Sequence, residues 1–212
     1  MLFRSNAASP GLTIGDWSSG NSFNWPGPID DVRIYNRALS AQEIKELYNA
    51  TAGSKVSTTQ KGIDKGLIGH WTFDGRDMIS NVADASGQGN DAYFTHLAAT
   101  TTVIGKIGQA LYFNGGSWAR RNDFDQATFS NKVSVSLWIK NDSSGVAQKY
   151  FSTQSTATAD GFAIYNNPTT YNAIVKEDGG WASCFYNAGA SERASDFGVW
   201  THVAMEIGRA HV

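Results

Sequence analysis

Cysteine is nearly absent: Cys184 is the single thiol in 212 residues, which excludes an internal disulfide and a thiolate metal cluster. Such scarcity suits the cytosol and many exported bacterial proteins alike, so it decides nothing about compartment. Charge is also sparse. Charged residues make up 17% of the chain, against roughly 25% in an average soluble domain. The 17 Lys and Arg against 19 Asp and Glu leave a formal charge of -2. That balance creates no field to hold a polyanion, so nucleic acid is excluded as an expected partner. No apolar run is long enough for a helical membrane span, and Met1–Ser5 lack the apolar stretch of a signal peptide. Neither G-x-S-x-G nor H-E-x-x-H occurs, and the histidines are scattered.

What is present is a chain with 41% hydrophobic and 12% aromatic residues, polar mainly through Asn, Ser, Thr and Gly. It divides by composition. Residues 1–50 hold a strand and a short helix, 51–65 (TAGSKVSTTQKGIDK) read as a polar, flexible linker, and 66–205 form a series of short alternating segments. Met1–Ser5 and Glu206–Val212 resemble translated sequencing-adapter DNA and are set aside. The clearest strand is Val133–Lys140, with Val133, Val135, Leu137 and Ile139 on one face. Shorter strands are expected at Leu67–Asp74, Ala110–Asn114, Gly161–Tyr165, Tyr171–Lys176, Ala182–Asn187 and Trp200–Met205. Turn-sized gaps separate them and no long helical pattern intervenes, which argues against a parallel α/β sheet. The fold class is therefore all-β, an antiparallel two-sheet sandwich. One helix interrupts it: Ser40 and Glu43 form a capping box, and Leu39 and Ile44 stand where a hydrophobic staple places them. Ile44, Leu47 and Tyr48 supply its docking stripe, and it ends near Ala50.

The run IDDVRIYNRALSAQEIKELY (residues 29–48) resembles the closing strand and helix of laminin-G-like, concanavalin-A-like jelly-roll domains. GLIGHWTFDG (66–75) is similar to the family's opening strand, DASGQGNDA (84–92) to its first loop, and GKIGQALYFNGG (105–116) to its next strand. VSVSLWIK (133–140) and VWTHVAM (199–205) resemble two later strands. The order is inverted, because the closing element comes first. A tandem array cut at both ends explains that order: the tail of one repeat, a linker, then the head of the next. An isolated strand and helix cannot bury their apolar faces alone. Family strands at the two ends lie close together, so residues 20–50 are expected to complete the second segment as a circularly permuted sandwich.

Glucanases that share this fold carry acid and nucleophile alternating along one strand. No such pattern occurs here; Asp123 and Asp125 fall in an expected loop, and Asp30 and Asp31 should face opposite ways on a strand. The chain is accordingly expected to be no enzyme. His70 and His202 read as structural, and the GQG at 87–89 lacks the strand–helix setting of a nucleotide loop. The resemblance implies one structural calcium ion bridging Asp30, Asp74, Asp84 and Asn90, since hard cations want several oxygens; the same loop also reads as an Asx-rich turn capping its own backbone. Two candidate glycan sets stand out, because sugars stack on aromatic rings while polar groups read their hydroxyls. One is Trp118 with Arg120, Arg121 and Asp123; the other is Trp181 near Asp178 and Tyr171. Trp71, Trp138 and Trp200 read as packing residues. The expected function is a carbohydrate-binding or adhesive module, secreted or at the cell surface, whose partner is a glycan or a cell-surface protein. A calcium-stabilised spacer repeat, or an accessory domain of a glycosidase, are the alternatives, since the fold alone does not choose among them.

Overall fold

The computed structural model describes residues 11–16, 24–50, 62–75, 78, 81–95, 101–124, 132–142, 147–153, 161–167, 170–177, 180–187 and 196–208. The Met1–Ser5 and Arg209–Val212 ends, Asp178 and residues 51–61 of the expected 51–65 linker lie outside them, whereas residues 62–65 form a turn in which Ile63 is buried. In chain order the described elements are β1 (Leu12–Ile14), β2 (Pro26–Tyr35), α1 (Ala41–Asn49), β3 (Leu67–Trp71), β4 (Tyr93–Thr95), β5 (Thr101–Ile104) and β6 (Gln109–Asn114). Then follow β7 (Trp118–Arg121), β8 (Val133–Lys140), β9 (Gln148–Ser152), β10 (Gly161–Asn166), β11 (Thr170–Glu177), β12 (Gly180–Asn187) and β13 (Trp200–Ile207).

These strands make two antiparallel sheets. One has the order β12-β11-β10-β9-β1-β7-β4, the other β13-β8-β2-β6-β5, with β3 also on β2. Strand β2 is the axis of the second sheet. Its Pro26–Ile29 half pairs with β6, its Val32–Tyr35 half with β3, and β8 lines its other edge from Ile29 to Tyr35. Short β1 lies between β7 and β9 in the first sheet. The first 50 residues thus supply an inner strand to each sheet, as a permuted sandwich requires.

Alternation explains the core. Leu12, Ile14, Ala119, Phe151, Phe162 and Ile164 of the first sheet are buried with Ile29, Val32, Ile34, Leu111, Phe113, Val133, Val135, Leu137 and Ile139 of the second. Each large apolar side chain so buried contributes about 1.5–3 kcal/mol. Trp25 meets Tyr150 edge-on at 4.7 Å, and Trp71 is fully buried while its Nε1 donates to Asn90 O at 3.1 Å. Trp200 is half-buried at the start of β13, and that strand runs on through Glu206 and Ile207, opposite Ser134 and Val133.

The outer face of β8 is buried as well, for a different reason: α1 covers it. Ser40 accepts from the Glu43 backbone while the Glu43 carboxylate accepts from the Ser40 backbone, so the capping box forms. Arg37 clamps the helix start, donating to both Glu43 carboxylate oxygens and to Gly62 O. That clamp, through its hydrogen bonds first, holds the Glu43 carboxyl down at about 2. Leu47, Leu39, Tyr35, Ile63 and Leu67 then form a second small core, with Ile44 beside it. Tyr48 does not join it; it lies 56% exposed and stacks on Trp138 at 5.5 Å.

Candidate functional site

A bulge in β2 shapes the outer face of the second sheet. The register with β8 shifts between Asp30 and Arg33, and Asp31 takes the left-handed conformation at φ 49°. A bulge sets two residues against one, so Asp30 and Asp31 end on the same face instead of opposite faces. This corrects the expectation from regular strand alternation. Their partners confirm the shared side: Asp30 stands opposite Trp138, while Asp31 meets Arg33 and His70, which are paired across β2 and β3.

The two carboxyls have opposite electrostatics. Asp31 is desolvated, but Arg33 Nη2 at 3.2 Å and His70 Nε2 at 2.6 Å outweigh that and hold its carboxyl far below the usual range. Because an ionised carboxylate only accepts, His70 donates from Nε2. Desolvation pushes the Asp30 carboxyl up to about 8, although its Oδ2 accepts from Ile107 N at 2.8 Å and neighbouring Asp31 adds to the rise. Its Oδ1 is buried and has no hydrogen-bond partner. Beyond them, His202 packs on Trp138 with 4.9 Å between centroids, and its Nε2 lies 2.8 Å from Ser136 Oγ. Lys106 Nζ sits 4.7 Å from the centre of the Trp138 ring.

Asp74 reaches the same turn as Asp30. Its Oδ1 accepts from Gln109 N at 2.8 Å, so the two carboxylates grip opposite parts of the Gly105–Gln109 turn. The glycines there have a steric reason. A Cβ on Gly105 would stand 2.7 Å from Asp30 Oδ2, and one on Gly108, at φ 70°, would collide with Asp74 Oδ1. Phe73, just before Asp74, is also left-handed at φ 57°. That conformation is rare and strained for a bulky residue, and here it ends β3 early while keeping the Phe73 ring in the core against Phe113.

Asp84 and Asn90 are engaged elsewhere. The Asp84 carboxylate accepts from His70 N, Ser86 N, Ser86 Oγ and Asn90 N at 2.7–2.9 Å. Asn90 Nδ2 donates to Ile68 O at 2.6 Å. This loop latches itself to β3, as the Asx-turn reading expects. Among the described residues no three His, Cys, Asp or Glu side chains converge on one point. A cation held by Asp30 and Asp74 would therefore need backbone carbonyls for its remaining oxygens. The orphaned Asp30 Oδ1 and the hard, carboxylate donor type fit such an ion.

The glycan candidates separate. Ala119 is buried in the core, so its β7 neighbours Trp118 and Arg120 project from the opposite, outer face of the first sheet. On edge strand β4, Tyr93 stands opposite Arg120 and Thr95 opposite Trp118. Tyr93 is 54% exposed, and Asp123 is exposed in the turn after β7. Trp118 thus lies in a strand beside an exposed tyrosine that sequence patterning did not single out. A three-residue strand carries too little alternation to reveal it. Tyr171 goes elsewhere: it packs against the core, and its hydroxyl donates to Asp196 Oδ2 at 2.7 Å. In the β11–β12 ladder Tyr171 pairs with Tyr186 while Trp181 pairs with Lys176. The two are at opposite ends of that hairpin and form no common set; the Trp181 side chain is outside the described residues.

No curated protein and no solved structure matches the chain. The family model of the concanavalin A-like lectin/glucanases superfamily, laminin G type, matches residues 3–45. Over that stretch the chain is similar to this superfamily, and the two-sheet antiparallel sandwich built around β2 has the fold that the similarity implies.

Proposed function

We propose that the protein is a non-catalytic carbohydrate-binding or adhesion module of a secreted or surface protein, stabilised by a structural calcium ion. The observation that carries the binding reading is the strip Tyr93–Arg120–Trp118 along one edge of the seven-stranded sheet. An exposed ring beside a guanidinium offers a sugar both a stacking surface and a hydroxyl reader. The superfamily includes glucanases, and Asp30 and Asp31 do share a face with their pKa values driven apart, a pairing that acid–base chemistry uses. Burial argues against that role: Asp30 is fully buried and Asp31 only 6% exposed. Arg33 and His70 occupy Asp31 as well. No sugar ring reaches them.

Calcium is supported by Asp30 and Asp74, each next to a left-handed non-glycine residue, Asp31 and Phe73. Paired strain of that kind marks backbone held for a purpose. When bound, the ion would take the place of the proton that burial keeps on Asp30 and add to the tie between β2 and the Gly105–Gln109 turn. Glycan-array binding of the wild type and of Tyr93→Ala and Arg120→Ala tests the function. Binding that falls at least tenfold in both variants supports the module. A folded wild type that binds no glycan leaves the architectural spacer. Thermal unfolding in calcium against chelator tests the ion: a midpoint raised by calcium, with the rise lost in Asp30→Asn, supports it.

A further inference from the structure

We propose that residues 11–50 act as a strand donor which also closes the sandwich of a second copy of this chain, so that the protein assembles by strand exchange. Strand β1 separates β7 from β9, and β2 separates β8 from β6 and β3. With these two strands removed, the seven-stranded sheet divides into β12-β11-β10-β9 and β7-β4, and the other into β13-β8, β6-β5 and β3. The remainder, residues 62–208, is then an acceptor with a slot through each sheet. Both slots end in unpaired strand edges, which templates for another chain present.

The donor fits those slots by pattern as well as by hydrogen bonding. Leu12 and Ile14 enter the core from β1, and Ile29, Val32 and Ile34 from β2. On the outer side Leu39 N donates to Ser134 Oγ at 3.0 Å, and Asp31 meets His70. Nothing in these contacts requires donor and acceptor to share one covalent chain. Only residues 51–61 join Ala50 to Gly62, and eleven residues span at most about 40 Å. An intramolecular donor has an effective concentration on the order of millimolar. The monomer therefore prevails in dilute solution, and exchange appears when chains refold at comparable concentration.

Two full-length variants test the idea. Val32→Asp with Ile34→Asp ruins the donor but spares the acceptor; Val135→Asp with Leu137→Asp does the reverse. Each alone should lack a cooperative thermal transition. Mixed in denaturant and refolded together, they should form a heterodimer by native mass spectrometry and regain a cooperative transition. A mixture that yields neither overturns the proposal. Wild-type chain refolded from ~10 µM to ~1 mM should shift from monomer to dimer or longer species in size-exclusion chromatography. Monomer throughout that range overturns it independently of the variants.

Discussion

At the scale of single residues, the polar groups under α1 matter most, because burial makes their charges costly. His202 illustrates the sign. Desolvation pulls its pKa down to about 4, Arg33 adding to the fall and Asp31 opposing it. In the unfolded chain it titrates near the ordinary value of about 6.5. Between those values this residue holds more protons in the unfolded state than in the folded one, so its own contribution to stability falls as pH drops from about 6.5 to about 4 and levels off below. The loss attributable to this residue is at most about 3 kcal/mol. Buried Asp30, raised to about 8, opposes this over the same range, because there the folded state keeps a proton that the unfolded carboxyl has lost. The His202 contribution is therefore read as a difference: in urea titrations the wild type should lose stability relative to His202→Gln as pH falls from about 6.5 to about 4, and a difference that stays constant with pH would locate the dependence elsewhere. Aspartate adjacency was misleading at this scale. Regular alternation separates Asp30 from Asp31, and only the bulge at Asp31 reunites them.

At the scale of elements, the Gly105–Gln109 turn is the most constrained piece. Gly108 is left-handed and faces the Asp74 carboxylate, leaving no room for a methyl group. Gly108→Ala should cost more than about 1 kcal/mol, since the backbone penalty for losing glycine at positive φ adds to the clash. For a chain of this size that corresponds to a midpoint lowered by roughly 2–4 °C or more, with the calcium response weakened if Asp74 shifts. Differential scanning calorimetry in chelator and in calcium separates the two effects. Elements with strong local signals were legible: β8 and α1 stand where period and capping place them. Strand β2 starts at Pro26, earlier than the expected Ile29. Pro26 and Pro28 hide it from propensity, yet they are tolerated where the β8 ladder has not begun. The short strands β1, β4, β5 and β7 hold too few residues for a period to show.

At the scale of the whole molecule, the donor segment runs through both sheets, so its loss cannot be local. Trp25 reports on the core from the donor side, and Trp138 on the outer layer from the acceptor side. Unfolding followed by fluorescence of single-tryptophan reporters at either place should give coincident transitions. An early transition at Trp25 would mean that the donor detaches before the acceptor melts. The sequence by itself determined the all-β class, the capped helix, the main strands and the inverted order of family-like segments, because periodicity, capping and turn chemistry act over neighbouring residues. Only the tertiary structure decided which strands became neighbours, that Asp30 and Asp31 share a face, that Asp84 serves its own loop, and that Tyr93 joins Arg120. Those outcomes depend on register and bulges between segments far apart in the chain, where the cost of closing a loop and the gain from burying a face are settled together.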